Sequence, residues 1–137
     1  MYDISFGIFS LNKIIQAKIE DDLKQFNISF SQAKILEYIL DNDQSIQDEI
    51  SFRLNIKKSM ISQLIKNLIT KELVIMQESK KDKRIKILLL TTKGKDITLQ
   101  FKEYIQNFNK NILENVGIYN QVNLEMMLNE IMFTIKR

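Results

Sequence analysis

The chain has 137 residues, of which 45% are hydrophobic and 27% charged, and its formal net charge is +3. This length suits one domain with a proper core, and no run approaches the roughly 18 consecutive apolar residues that a membrane-spanning helix needs. Because the chain has no cysteine and no histidine, we exclude disulfides, thiol redox sensing, metal sites built on Cys or His, and histidine general-base catalysis.

The N-terminal part of the chain predicts one long amphipathic helix. The first five residues lack the basic flank and the small-residue cleavage site of a signal peptide, so we expect a cytoplasmic protein. The absence of proline favours a mostly helical chain. Within residues 4–26, apolar side chains recur three or four positions apart at Ile8, Leu11, Ile15, Ile19, Leu23 and Phe26.

Three further helices follow at short intervals. Ser29 and Gln32 have capping-box spacing and predict a second helix that ends at the turn-prone residues 41–43. Ser45 with Asp48 predicts the start of a short third helix, which Asn55 ends. The fourth helix is expected from near residue 57 to about 72, with an inward face made of Ile61, Leu64, Ile65 and Leu68. Two short helices joined by a tight turn indicate a helix-turn-helix.

The pattern then changes from helical spacing to alternation. Residues 74–76 are β-prone, residues 80–83 form a charged tip, and residues 84–87 alternate between polar and apolar. This predicts a two-stranded hairpin with one buried face and a basic tip. A helix-turn-helix followed by a hairpin is a winged helix, so the predicted fold class is mainly α, of the α+β winged-helix type.

Two more helices are predicted after the hairpin. Thr91 or Thr92 can cap the first, whose stripe is interrupted near Gly117 and consists of Ile97, Phe101, Tyr104, Ile105, Phe108, Ile112 and Val116. The last helix carries Leu124, Met127, Leu128, Ile131 and Ile135. The first and last helices are apolar along their length and cannot all be buried in so small a monomer. A two-fold homodimer is therefore expected.

Charge is distributed unevenly along the chain. From Arg53 to Lys95, twelve basic residues face three acidic ones, a net charge of +9, whereas the rest of the chain has eight basic and fourteen acidic residues, a net charge of −6. A basic middle segment between acidic ends suggests contact with a polyanion. On charge alone, a solvated basic face is an equally good interpretation.

Three segments resemble the MarR family of transcriptional regulators. Asp82-Lys83-Arg84, five residues, and then Leu90-Thr91-Thr92-Lys93-Gly94 match the D-x-R…L-T-x-x-G signature of that family's wing. Residues 31–36 and 61–68 are similar to its second helix and its recognition helix. The resemblance implies a homodimer that binds pseudo-palindromic operators in double-stranded DNA, usually as a repressor. It also implies release from DNA when a small aromatic effector enters a crevice between the lobes.

This resemblance and the helix pattern together predict how the chain is organised. We expect a single domain over residues 1–137, in which residues 29–95 form the DNA-binding lobe. Residues 1–28 and 96–137 are expected to supply the dimerisation helices.

The predicted DNA contacts come from the recognition helix and the wing. The outward face of the helix comprises Lys57, Lys58, Ser59, Met60, Ser62, Gln63, Lys66 and Asn67. Gln63 can bind adenine through its amide and Met60 can touch a thymine methyl, whereas lysines suit phosphates. The wing supplies Lys80, Lys81, Asp82, Lys83 and Arg84; the resemblance implies that Arg84 enters the minor groove while Asp82 helps to hold the wing. The alternative for this pair is a hairpin ion pair without a role in DNA binding.

A ligand crevice is a separate hypothesis. Five aromatic residues could line a crevice between the first two helices, although aromatic residues at helical spacing more often belong to a core: Phe6, Phe9, Phe26, Phe30 and Tyr38. No cofactor and no metal are expected.

Other classes of function fit the sequence less well. The adjacent acidic pairs, Asp21-Asp22 and Asp48-Glu49, lie at different helical azimuths, so we do not expect an enzyme. The alternatives are a winged helix that mediates protein–protein interaction, or an architectural DNA-binding module without operator specificity.

Overall fold

The computed structural model describes residues 1–136 and has a mainly helical architecture with a two-stranded hairpin. The helices are α1 (Ile4–Leu23), α2 (Phe30–Asp41), α3 (Gln47–Leu54), α4 (Lys58–Thr70), α5 (Thr92–Val116) and α6 (Gln121–Lys136), with 3-10 turns at Lys24–Phe26 and Ile118–Asn120. The strands are β1 (Val74–Glu78) and β2 (Lys86–Leu90), which pair antiparallel. The predicted winged-helix fold class is confirmed. Within residues 1–136, no helix has both the length and the apolar character needed to cross a membrane.

The chain divides into two compact units, Met1–Gln100 and Phe101–Arg137. In the first unit, α2 and α4 supply seven of the fourteen buried apolar side chains, and α1 adds two near its C-terminal end. The fourteen are Ile19, Leu23, Ile28, Ala33, Ile35, Leu36, Ile39, Ile50, Ile61, Ile65, Leu68, Leu73, Val74 and Leu88. This core holds the helix-turn-helix. In the second unit, none of the described residues of α6 is buried.

Helix α2 begins with the capping box that the sequence predicts. The Ser29 hydroxyl accepts a hydrogen bond from the backbone N–H of Gln32 at 3.1 Å. In return, the Ser29 backbone N–H donates to the Gln32 side-chain oxygen at 3.0 Å. Both donors would otherwise lack a partner at the helix start.

The predicted cap of α3 is wrong. Ile46 occupies the N-cap position and provides no side-chain hydrogen bond. Ser45 is buried, and its hydroxyl instead donates to the carbonyl oxygen of Asn42 at 2.6 Å. The Ser45 carbonyl accepts from the backbone N–H of Leu88 at 2.8 Å. Ser45 therefore joins the turn after α2 to strand β2, 43 positions later, and this long-range pairing directs its hydroxyl away from α3.

The wing is shorter than the alternation predicts. Strand β2 begins at Lys86 instead of Arg84, because residues 82–85 form a turn in which the Ile85 N–H donates to the Asp82 carbonyl at 3.0 Å. The Ser79 N–H donates to the Ile85 carbonyl at 2.8 Å and closes the loop. Three residues of the segment 74–90 are buried: Val74 at the base, Leu88 within β2, and Ser79 in the loop.

The exit of the wing explains the spacing of its last motif. Thr91, the first of the two predicted caps, accepts from the Gly94 N–H at 2.9 Å through its hydroxyl, which also donates to the Glu72 carbonyl at 2.6 Å. The Thr91 N–H donates to the Leu73 carbonyl at 3.1 Å. Gly94 passes so close to this carbonyl that a Cβ at position 94 would lie 2.0 Å from the Leu73 oxygen. This contact requires a hydroxyl side chain at position 91 and a glycine at position 94.

We therefore expect Gly94→Ala to destabilise the protein by about 1–3 kcal/mol, since backbone must shift to admit the methyl group. Urea unfolding at fixed protein concentration measures the loss. Gly7→Ala is the matched control, because its Cβ would meet only the far end of the Tyr2 side chain, which can move aside. Equal stability of Gly94→Ala and the wild type would contradict the explanation of the motif.

Candidate nucleic-acid interface

The turn between α3 and α4 is held by short-range hydrogen bonds. Asn55 adopts a left-handed conformation with φ 55°, which ends α3 where the sequence predicts. The Ser51 hydroxyl donates to the Ile56 carbonyl at 2.6 Å, and the Ile56 N–H donates to the Ser51 carbonyl at 3.1 Å. These bonds make the turn compact and set the direction in which α4 leaves it.

Helix α4 has one buried and one exposed face. Ile61, Ile65 and Leu68 are buried, and Leu64 is half-buried. The residues predicted to face outward are exposed apart from Ser62, which is half-buried: Lys57, Lys58, Ser59, Met60, Gln63, Lys66 and Asn67. The structure thus brings the whole predicted set together at one helix and its N-terminal flank.

The cations on this face differ in their pairing. Lys58 lies 3.7 Å from a carboxylate oxygen of Asp48, and both side chains are exposed, so the pair contributes little and can open. Lys57 and Lys66 have no ion pair with any described residue. All three ammonium groups are available to a polyanion.

Asn67 differs from its neighbours in having a long-range partner. Its side-chain oxygen accepts a hydrogen bond from the side-chain amide of Gln32 on α2, at 2.7 Å. The sequence reveals Gln32 only as part of a capping box. Nothing in local spacing could have identified its bond to a residue 35 positions away.

The wing carries a bidentate ion pair between Arg84 and Asp82. Nε and Nη2 of Arg84 donate to the two carboxylate oxygens of Asp82 at 3.1 and 3.0 Å, and the Arg84 backbone N–H donates to the same carboxylate at 3.0 Å. The hydrogen bonds from the Arg84 side chain lower the pKa of Asp82, and the same bonds raise the pKa of Arg84. The Arg84 side chain nevertheless remains 90% exposed. Asp82 therefore orients the guanidinium without covering it.

The remaining lysines of the wing fall into two groups. Lys86 donates to a carboxylate oxygen of Glu78, its cross-strand partner, at 2.9 Å. Lys80, Lys81 and Lys83 are exposed, and no ion pair links them to the described part of the chain. The tip thus concentrates free positive charge, while the strands do not.

The wing and the start of α3 enclose an open groove of about 330 Å³. Ile46 and Asp48 line one side, and Met76, Arg84 and Leu88 line the other. This groove was not predicted, because it joins segments that lie far apart in the sequence. It brings Arg84 next to the start of α3.

The structure does not bring the five predicted crevice aromatics together. Phe6 and Phe9 lie near the start of α1 and are 65% and 54% exposed. Phe26 lies just beyond Leu23 at the other end of α1, about 25 Å from Phe6 along the helix axis. That distance exceeds the width of a pocket for a small aromatic molecule within one subunit.

Among the described residues, no cluster of three or more carboxylates could hold a metal ion.

Comparison with known proteins identifies relatives by sequence. The profile of a winged helix DNA-binding domain matches residues 29–94. The helix-turn-helix (HTH)-type transcriptional regulator YdgJ of Bacillus subtilis is 26% identical over 115 residues, which are 84% of this chain and 68% of the relative. An HTH-type transcriptional regulator of Staphylococcus aureus strain Mu50 is 36% identical over 78 residues, 57% of this chain and 53% of the relative. This second match spans about half the length of the relative. Both relatives are named as HTH-type transcriptional regulators.

Solved structures match the fold over nearly the whole chain. The Staphylococcus aureus MepR–DNA complex has a TM-score of 0.90 at 20% identity, covering 98% of this chain and 99% of the other. A SlyA-like transcription regulator from Listeria monocytogenes has a TM-score of 0.84 at 24% identity, covering 98% and 90%. At these identities the likeness establishes a shared fold.

Asp82→Asn tests whether Asp82 orients Arg84. We expect the Nε–H of Arg84 to exchange faster with solvent, since a charged acceptor is lost, while the unfolding midpoint stays unchanged because the pair is on the surface. NMR of the arginine Nε–H signals measures the exchange. Glu78→Gln is the control, because it removes the partner of Lys86 on the same hairpin.

The pH dependence of this pair has a definite sign. The pKa of Asp82 is lowered, so the carboxylate is ionised above its ordinary value of about 3.9, and the pair is lost only as pH falls through the lowered pKa. The chemical shift of the Arg84 Nε, unlike the base-catalysed exchange rate of its proton, should therefore be constant from about pH 5 to pH 8. A change within that range would mean that another group holds the guanidinium.

Proposed function

We propose that the chain is a winged helix-turn-helix transcriptional regulator of the MarR type, and that it binds pseudo-palindromic duplex DNA as a homodimeric repressor. One observation carries the proposal: two separate segments, α4 with its N-terminal flank and the wing tip, expose lysines with no strong internal partner. The stability of a winged-helix fold does not require unpaired lysines at both of these places. The same arrangement speaks against a winged helix that only binds other proteins.

In this proposal, α4 enters the major groove and presents its outward face to base edges and phosphates. Gln63 and Met60 are the exposed side chains suited to reading bases, through an amide and through apolar contact with thymine. Lys57, Lys58 and Lys66 neutralise phosphates and set the register on the duplex. Binding opens the long Lys58–Asp48 pair at little cost, since both groups are exposed.

The wing serves the adjacent minor groove. Arg84 is the residue that enters it, because its guanidinium is exposed while Asp82 holds its orientation. A narrow A·T-rich minor groove has a deep negative potential and so favours this group. The lysines at positions 80, 81 and 83 flank it and can contact the sugar–phosphate backbones on either side.

Dimerisation follows from apolar side chains left in solvent at both ends of the chain. Ile4, Phe6 and Phe9 on α1 are more than half exposed, as are Met126 and Met127 on α6. Surfaces of this kind are rare on monomers and are covered in assemblies. A second copy of the chain is the occupant that we propose, in a closed two-fold arrangement that matches a palindromic site. The two recognition helices are then about 34–36 Å apart.

An effector would act through the spacing of those two helices. A small aromatic molecule releases the dimer from DNA only if it binds better to a spacing that the operator does not accept. The family resemblance supports this step, and the separation of Phe6 and Phe9 from Phe26 argues against a single site lined by all five aromatics within one subunit.

DNA binding is tested by a titration with a duplex that the protein selects from a random pool. If six to ten phosphates are neutralised, affinity should fall by about 10³–10⁵ between 50 and 200 mM salt. Changing Lys80, Lys81 and Lys83 together to Gln should reduce the magnitude of the log–log salt slope by about 3 for each wing that contacts DNA, since each lysine lost removes about one counterion. The matched control changes Lys13, Lys18 and Lys110 to Gln, all outside α4 and the wing. A salt-independent complex, or no enrichment over random duplex, would refute the proposal.

Dimerisation is tested by sedimentation at micromolar concentration. The wild type should sediment as a dimer, and Met127→Asp with Met132→Asp should convert it to a monomer, because a charge buried without a partner opposes association. Asn129→Asp adds a charge to the same helix as the control. It should leave the dimer intact. A monomeric wild type would overturn this part of the proposal.

A further inference from the structure

Gln32 links the start of α2 to the recognition helix through its side-chain amide. It is only 5% exposed, which is unusual for a glutamine that also caps a helix. Its oxygen accepts from the Ser29 backbone N–H at 3.0 Å, and its nitrogen donates to the Asn67 side-chain oxygen at 2.7 Å. The cap and α4 are thus connected by one carboxamide.

The hydrogen-bond chemistry sets the orientation of both amides. A backbone N–H can only donate, so the Gln32 atom that faces Ser29 must be the oxygen. The atom that faces Asn67 is then the Gln32 nitrogen, which can only donate. Asn67 must answer with its oxygen, so its Nδ2 is the end left over. No described residue accepts a hydrogen bond from that Nδ2, and Asn67 is exposed.

We propose that Gln32 is a positioning residue that makes Asn67 a hydrogen-bond donor to a DNA phosphate. The inference rests on the proposed function. Asn67 is the tenth residue of α4, about 14 Å along the axis from Lys58. Because the N-terminal residues of a recognition helix reach the base edges, a donor this far along it meets the DNA backbone. A donor is also the polarity that a phosphate oxygen requires.

Gln32→Glu reverses this polarity while keeping the cap. A carboxylate at position 32 still accepts from the Ser29 N–H, since glutamate is a usual partner in a capping box. Its second oxygen would repel the Asn67 oxygen, so the Asn67 amide rotates and directs Nδ2 inward. The oxygen of Asn67 then faces the phosphate. We expect DNA binding about tenfold weaker, the effect of losing a hydrogen bond to a charged group, with no loss in thermal stability.

A double-mutant cycle separates this effect from the added charge. The probes are the duplex selected by the wild type and a random duplex of the same length, both at 100 mM salt (about 10 Å Debye length). Asn67→Ala should weaken binding about tenfold, and adding Gln32→Glu to it should weaken binding less than about twofold further, since no amide remains to rotate. Equal losses on both duplexes are expected, because a phosphate carries no sequence information.

A measurement without DNA distinguishes failure of this inference from failure of the proposed function. In Gln32→Glu, one Asn67 side-chain N–H proton should shift downfield in the NMR spectrum, because it donates to a carboxylate. If the Asn67 proton does not shift, the orientation argument is wrong, even if the variant binds DNA. A shift with undiminished DNA affinity, a loss that persists in Asn67→Ala, or a loss on the selected duplex alone overturns the role at a phosphate. Failure of the wild type to bind either duplex overturns the proposed function and leaves only the amide orientation standing.

Discussion

The meeting of α4's C-terminal end with the N-terminal end of α5 controls the geometry of the candidate interface. Thr91 bonds to the carbonyls of Glu72 and Leu73, and Gly94 lies against the Leu73 carbonyl. The hairpin begins just after Glu72 and Leu73 and ends just before Thr91, so these hydrogen bonds hold its two ends together. Together with the Ser45–Leu88 bridge, these bonds limit the orientation of the wing relative to α4. A guanidinium on an exposed loop can bind in a DNA groove only if the ends of that loop are held in a fixed position.

Local patterns predicted the local features well. The capping box of Ser29 and Gln32, the left-handed end at Asn55 and the buried stripe of α4 each depend on residues within a few positions of one another. These features follow from helix periodicity and from the hydrogen bonds that helix ends lack. The change from helical spacing to alternation predicted the fold class, and the family-like wing motif at Thr91 and Gly94 now has a structural reason.

Features that depend on distant residues were missed or misread. Ser45 has the spacing of a cap, but its carbonyl pairs with Leu88, and that pairing overrides the local preference. The start of β2 was placed at Arg84 because alternation alone cannot show that the Asp82 carbonyl closes a turn there. The crevice hypothesis likewise grouped Phe6 with Phe26, although most of the length of α1 separates them. The bond from Gln32 to Asn67 lies in the same class, since it exists only after α2 and α4 have packed.

The absence of any buried residue in the described part of α6 bears on how the amount of this protein governs its state. An isolated helix of 16 residues is marginally stable in water, so α6 gains most of its order from whatever covers it. If a second copy does so, folding and association are one equilibrium, and the folded fraction rises with protein concentration. Synthesis rate and dilution by growth would then set occupancy of a target more steeply than a simple binding curve. The response of target occupancy to protein concentration would then be closer to a threshold than to a graded curve.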